Sequence, residues 1–214
     1  MRAVEFHNIT RGETLAGVSF GVESGSLSAL ITSSQDENDV IVRLLLGLAP
    51  PDGGAMTVLG EVPSGAGLLS LRRRIGVVHP SGGLVSNLKV AENVALPLAY
   101  HSRLTEQELA RRCAAALQRV GYQGRPMELP GNLSLYCRRL VGQARTFIME
   151  PELLVYNAVL GGLSEEERRR IVANAVAFHR ENPARTTLFL TSQPETMGGV
   201  PLDRRLILEE KSNR

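Results

Sequence analysis

The feature that most constrains this chain is a junction near its start. Leu27-Ser28-Ala29-Leu30-Ile31-Thr32, a short apolar run of buried-strand character, leads through a polar stretch into Val40, Ile41, Leu44, Leu45 and Leu48 at helical spacing. Gly25 precedes the strand, and Pro50-Pro51-Asp52-Gly53-Gly54 ends the helix as a turn cluster. Strand, loop and helix in immediate succession predict an α/β layer.

The rest of the chain extends that pattern. Val4 to Phe6 and Val18 to Val22 alternate like strands, so a β-rich start is expected. Ile75-Gly76-Val77-Val78 reads as another buried strand, after which the chain turns helical and loop-rich until about residue 150. Thr105 with Glu108 predicts a capping box ahead of a stripe formed by Leu109, Cys113, Ala116, Leu117 and Val120. Leu153-Leu154-Val155-Tyr156 and Thr187-Leu188-Phe189-Leu190-Thr191 are β-type runs flanking an amphipathic helix that starts near Ser164, and Arg205-Leu206-Ile207-Leu208 closes the chain as a strand. The expected organisation is an α/β core of residues 1–79 and 151–214 with a helical subdomain at 80–150, and there are no internal repeats.

Composition removes several alternatives. With 214 residues, 43% apolar and 21% charged, the chain is globular, not collagen-like, disordered or a disulfide scaffold. Twenty-four basic against twenty-two acidic side chains give +2, and the basic residues fall in short runs, so no nucleic-acid partner is expected. Arg72–Arg74, Arg138–Arg139 and Arg168–Arg170 are expected at solvated helix or strand ends. Cys113 and Cys137 lack metal-ligand spacing and His7, His79, His101 and His179 are isolated in sequence, so free thiols and no metal site are expected. Met1 to Phe6 begins with alternating polarity instead of a signal-peptide core, and no apolar run of about 18 residues is present to span a bilayer. A cytoplasmic protein is expected.

A strand, a polar loop and a helix N-terminus are the frame of a phosphate-binding loop, whose usual sequence is GxxxxGK[ST]. Here the loop reads Thr32-Ser33-Ser34-Gln35-Asp36-Glu37-Asn38-Asp39 before Val40. Around it, Gly25, Arg43-Leu44-Leu45-Leu46-Gly47-Leu48, the Pro50 to Gly54 turn and Leu59-Gly60 follow in order. On these residues the chain resembles the ATP-binding subunits of ABC transporters over essentially its whole length. Arg73-Arg74-Ile75-Gly76-Val77-Val78, Leu84, Asn87-Leu88-Lys89-Val90, Glu92-Asn93-Val94-Ala95-Leu96-Pro97-Leu98 and Tyr100-His101 resemble more narrowly the ATPase subunits of Mla/Mce-type lipid-transport systems.

The resemblance implies a P-loop-NTPase-like ABC ATPase core with a helical subdomain, and it assigns positions. The last glycine of the loop motif is Glu37, the phosphate-binding lysine is Asn38, and the magnesium-holding Ser/Thr is Asp39. Asn8 to Leu15 is short and lacks the aromatic residue that stacks on adenine in the family. Pro80 stands for the glutamine after the Val77-Val78 strand, and of the LSGGQ signature only Leu133 and Ser134 match. Asn157 and Ala158 stand for the magnesium aspartate and catalytic glutamate, and Ser192 for the switch histidine. The resemblance therefore implies a catalytically inactive subunit with no cofactor, acting in docking, scaffolding or regulation of a lipid-handling transporter. The alternative is a weak or unusual ATPase of such a system, holding ATP and magnesium weakly. Asp36, Glu37 and Asp39 are read as helix caps and dipole partners. The family surface that receives a permease corresponds to His79, Pro80, Ser81, Gly82, Gly83, Leu84 and Val85. The expected partners are a membrane permease and a second copy or another ABC ATPase, which would hold the protein at the inner face of a membrane.

Overall fold

A computed structural model describes residues 1–102 and 104–208. β1 (Arg2–Arg11) and β2 (Leu15–Glu23) form an antiparallel pair, and β3 (Leu27–Ile31) follows at once. α1 (Gln35–Leu45) then leads to β4 (Gly53–Val58), which adds to the other edge of β1. A three-stranded antiparallel sheet in the order β2-β1-β4 results. α2 (Leu68–Arg73) and β5 (Ile75–Val78) come next, and α3 (Val90–His101), α4 (Glu106–Arg119) and α5 (Leu135–Phe147) fill the middle of the chain. β6 (Leu153–Asn157), α6 (Glu165–Arg180), β7 (Thr186–Thr191) and β8 (Arg204–Ile207) complete it. The second sheet is parallel, in the order β5-β6-β7-β3-β8.

Alternation explains the uninterrupted apolar strands of this second sheet. Leu154 and Tyr156 of β6, with Ala29 and Ile31 of β3, pack on the side of α3 to α6. Leu153, Val155 and Leu30 pack on the other side, against Ile41, Leu44 and Leu45 of α1 and against Val4, Phe6, Val18 and Met56 of the antiparallel sheet. A strand covered on both faces favours apolar side chains at nearly every position, which is why its sequence reads as a nearly continuous run, with small polar residues such as Ser28 and Thr187 buried within it.

Several expectations move. α1 starts at Gln35, five residues before Val40, because Ser34 caps it by accepting from the Glu37 N–H at 3.2 Å; the polar stretch is the first helical turn. Gly53 and Gly54 open β4 instead of ending a turn; Gly54 has φ 86°, and a Cβ there would lie 2.3 Å from the Asn8 carbonyl oxygen. Thr105 caps α4, but Glu108 does not close the expected box. Its carboxylate accepts from Arg111 and Arg112 and is held at about 2, well below the usual carboxylate range, by those bonds. Cys113 and Cys137 are free thiols. Among the described residues no helix is long and apolar enough to cross a membrane.

What the fold positions is an edge. The C-terminal ends of β3, β5, β6 and β7 lie side by side in one parallel sheet and deliver Thr32, His79, Asn157 and Thr191 to the same side, where open α/β sheets place their crevices.

Candidate functional site

At that edge lies a cleft of about 600 Å³. Gln35 and Asp39 reach it from α1, His79, Pro80, Ser81 and Gly83 from the loop after β5, Ala158 and Gly161 from the loop after β6, and Ser192 and Gln193 from the loop after β7. Arg139 of α5 closes its wall. Of the sequence-predicted residues, the cleft gathers Gln35, Asp39, Pro80, Ala158 and Ser192, together with His79, Ser81 and Gly83 of the 79–85 segment. Ser134 is not part of the lining. It caps α5, accepting from the Cys137 N–H at 3.2 Å.

Three side chains form a closed triangle at the back of the cleft. Asp39 Oδ1 accepts from Asn157 Nδ2 at 2.7 Å and from Gln35 Nε2 at 3.0 Å, and the same Gln35 nitrogen donates to Asn157 Oδ1 at 3.0 Å. Asn157 is 1% exposed. The carboxylate that the resemblance places on β6 is thus an amide, and the hydroxyl that it places on α1 is a carboxylate, so the one acid of the pair sits on the α1 side of their hydrogen bond. The cap reading of Asp39 is corrected accordingly, since its partners are an amide on β6 and its own helix neighbour.

The loop itself is filled from within. Glu37, 4% exposed, accepts from the Ser33 N–H at 2.8 Å and from the Ser33 hydroxyl. Asn38 is fully buried and accepts from Thr32 Oγ1 at 2.9 Å, so its side chain turns into the β3–α1 junction. Asp36 stands exposed in the first turn, as expected of a dipole partner. A triphosphate does not fit this loop: a carboxylate takes the donors a phosphate would use, and neither Asn38 nor Asp39 supplies a positive charge. No hydrolytic step is assigned to these residues.

The cation of the cleft comes from elsewhere. Arg139 was expected at a solvated helix end, yet it is 4% exposed. Its Nε donates to the Pro80 carbonyl and its Nη1 to the Gly161 carbonyl, both at 2.6 Å, joining the loops after β5 and β6. Burial pushes its pKa down to about 10. The sequence carried a signal for this, because Arg139, Gln143 and Thr146 recur at helical spacing and all three are buried. Arg145 fixes the 79–83 loop from the same helix, donating to the Gly83 carbonyl at 2.7 Å and to that of Gly82 at 3.3 Å. Burial, and then the Arg145 charge, lower the pKa of His79, while Asp39 opposes them. Ala158 adopts φ 46°, a left-handed conformation for a residue with a Cβ, and its N–H donates to the Leu190 carbonyl at 2.9 Å.

Known proteins match this chain over the same elements. The family model of the ABC transporter matches residues 15–157. The methionine import ATP-binding protein MetN of Caulobacter vibrioides is 32% identical over 170 residues, 78% of this chain and 51% of that protein. MetN of Rhizobium johnstonii is 31% identical over 198 residues, 91% of this chain and 54% of that protein. The chain therefore spans about half the length of these curated relatives. Among solved structures, the dimeric bacterial ABC transporter cassette MJ0796 superposes with a TM-score of 0.83 at 20% identity, covering 97% of this chain and 94% of that one. At that identity the likeness establishes the fold, an α/β ABC ATPase architecture.

These findings correct three expectations. The relatives are named as ATP-binding import subunits, so the inactive subunit inferred from Glu37, Asn38, Asp39, Asn157 and Ala158 is not upheld, and neither is the absence of a nucleotide cofactor. Lipid transport gives way as well, because the relatives are named for methionine. The physical reason is that a motif position fixes one side chain, whereas the site is assembled from four loops and a helix, and its charges need not come from the motif. With the family model matched across residues 15–157, this chain belongs to the ABC transporter family.

Proposed function

We propose that this chain is the ATP-binding cassette subunit of an ABC importer of the small-nutrient kind its relatives are named for, docked on a membrane permease and paired with a second cassette. The observation that carries the docking half is an apolar groove of about 510 Å³ between β5 and α3. Leu96, Pro97, Tyr100 and Met149 are among its apolar lining residues, and Arg72, Arg73, His101 and Arg145 line it as well. Leu96 and Tyr100 are four residues apart on α3 and share one face, and Tyr100 is 83% exposed. A large aromatic side chain held in water beside an apolar groove suits an incoming helix of a permease. In this reading the 80–150 subdomain is the docking part, Arg145 of the groove lining ties the His79 to Val85 segment to it through the Gly82 and Gly83 carbonyls, and the protein sits at the inner face of a membrane through its partner.

A photo-crosslinking side chain placed at Tyr100 in cells tests this. The expected product is an adduct with a polytopic membrane protein, lost when Leu96→Asp is added. Adducts with soluble proteins only would overturn the docking reading.

A further inference from the structure

We propose that the cleft binds a phosphate-type oxyanion with the Arg139 guanidinium as its cation, supplied from α5 in place of the loop's missing lysine. The inference deepens the cassette reading and rests on it only for the nucleotide arm of the test below.

The loop cannot serve as the seat while Glu37 occupies the Ser33 donors. The cleft beside it differs. Arg139 spends Nε and Nη1 on two carbonyls, and Nη2 has no hydrogen-bond partner among the described residues. The sealed, partnerless side-chain atoms among those residues are Tyr122 Oη and Arg138 Nε, so Nη2 of Arg139 is not sealed off, and the side chain that carries it lines the cleft. No carboxylate lies within ion-pair reach of Arg139 among the described residues; Glu167, its acidic neighbour, is engaged with the Ser164 N–H at 2.9 Å. A buried guanidinium bonded only to neutral carbonyls keeps its full charge for a ligand, and its planar fork matches an oxyanion. The lowered pKa agrees with a cation whose loss of water outweighs the opposing charge of Glu167.

The rest of the lining suits the same ligand. Ser81, Ser192, Gln193 and Gln35 are neutral hydrogen-bonding groups around the cavity. Asp39 is the carboxylate among the lining residues, and its Oδ1 already accepts two amide donors, which hold it toward β6. Both loops that Arg139 joins border the cleft, so an anion on its free nitrogen would lie between them.

Calorimetry with pyrophosphate, and separately with ATP, on the full chain tests the proposal. Wild-type protein is expected to bind pyrophosphate, Arg139→Gln to lose about ten-fold or more, and Arg139→Lys to recover part of the loss. Because Arg139→Gln also frees the Pro80 and Gly161 carbonyls, Ser192→Asp provides an independent arm: it leaves Arg139 untouched, brings a carboxylate into the cleft, and is expected to weaken binding comparably. Folded wild type that gives no heat with pyrophosphate, or unchanged affinity in either Arg139→Gln or Ser192→Asp, would overturn it. ATP binding tighter than pyrophosphate supports the anion site as part of a nucleotide site. Equal affinity supports the Arg139 site while removing the base-recognition part of the cassette reading.

Discussion

Two helix starts in this molecule use the same residues for different ends. α1 and α6 each begin after a serine N-cap with glutamate at the third helical position, Ser34 with Glu37 and Ser164 with Glu167. At α6 the pair closes on itself: Glu167 accepts from the Ser164 N–H at 2.9 Å, and the Ser164 hydroxyl accepts from the Glu167 N–H at 3.3 Å. At α1 the serine does its part, but the carboxylate reaches one residue further back, to Ser33, and is buried there. One carboxylate finishes a solvated helix; the other occupies a loop. Identical local chemistry thus yields a cap where the helix start is free, and an internal anion where a buried strand feeds the helix directly.

The comparison can be broken by removing each group in turn. Glu37→Ala should have the largest effect, about 2 kcal/mol in chemical denaturation, because a buried carboxylate that is the ionic acceptor for both the N–H and the hydroxyl of Ser33 is lost. A loss as small as that of an ordinary cap would make the two starts equivalent. Ser164→Ala should cost about 1 kcal/mol, the usual contribution of a serine N-cap. Glu167→Ala should cost about 0.5 kcal/mol, since water can replace a half-exposed carboxylate; a larger loss would indicate that Glu167 also holds Arg139 electrostatically.

A third helix start sharpens the contrast at the small end. Glu108 of α4 occupies the same third position but turns outward to Arg111 and Arg112, which lower its pKa from 4.5 to about 2. A depressed carboxylate contributes stability above its unfolded pKa and loses that contribution as pH falls through the folded value. The window is therefore pH 4.5 down to about 2. Because the group is fully exposed, the expected change in midpoint across it is too small to separate from the other carboxylates. Carboxyl NMR of Glu108 should show its titration well below the ordinary 4.5, and a normal midpoint would mean that the two arginines do not hold it in solution.

How far the sequence could be read differs from residue to residue. The strands Leu27–Ile31, Ile75–Val78 and Leu153–Tyr156 were legible because burial on both faces demands uninterrupted apolar runs. The Ser164 start of α6 was legible as local capping chemistry. The first turn of α1 was missed because its residues are polar throughout, and polarity marks a loop unless a cap is recognised. β4 was missed because Gly53-Gly54 reads as a turn, whereas Gly54 is needed for a close approach to β1.

The sequence by itself determined the α/β class, the strand–loop–helix junction, the family resemblance and the identity of every side chain at the loop, all of which depend on neighbours within a few residues. It did not determine what those side chains touch. Only the tertiary structure decided that Asp39 and Asn157, 118 residues apart, share a hydrogen bond, that Arg139 is buried between the Pro80 and Gly161 loops, and that Glu37 fills the loop from within. The reason is physical: capping, propensity and apolar period act along the chain, whereas the charge balance of a cleft depends on which distant loops the parallel sheet brings to one edge.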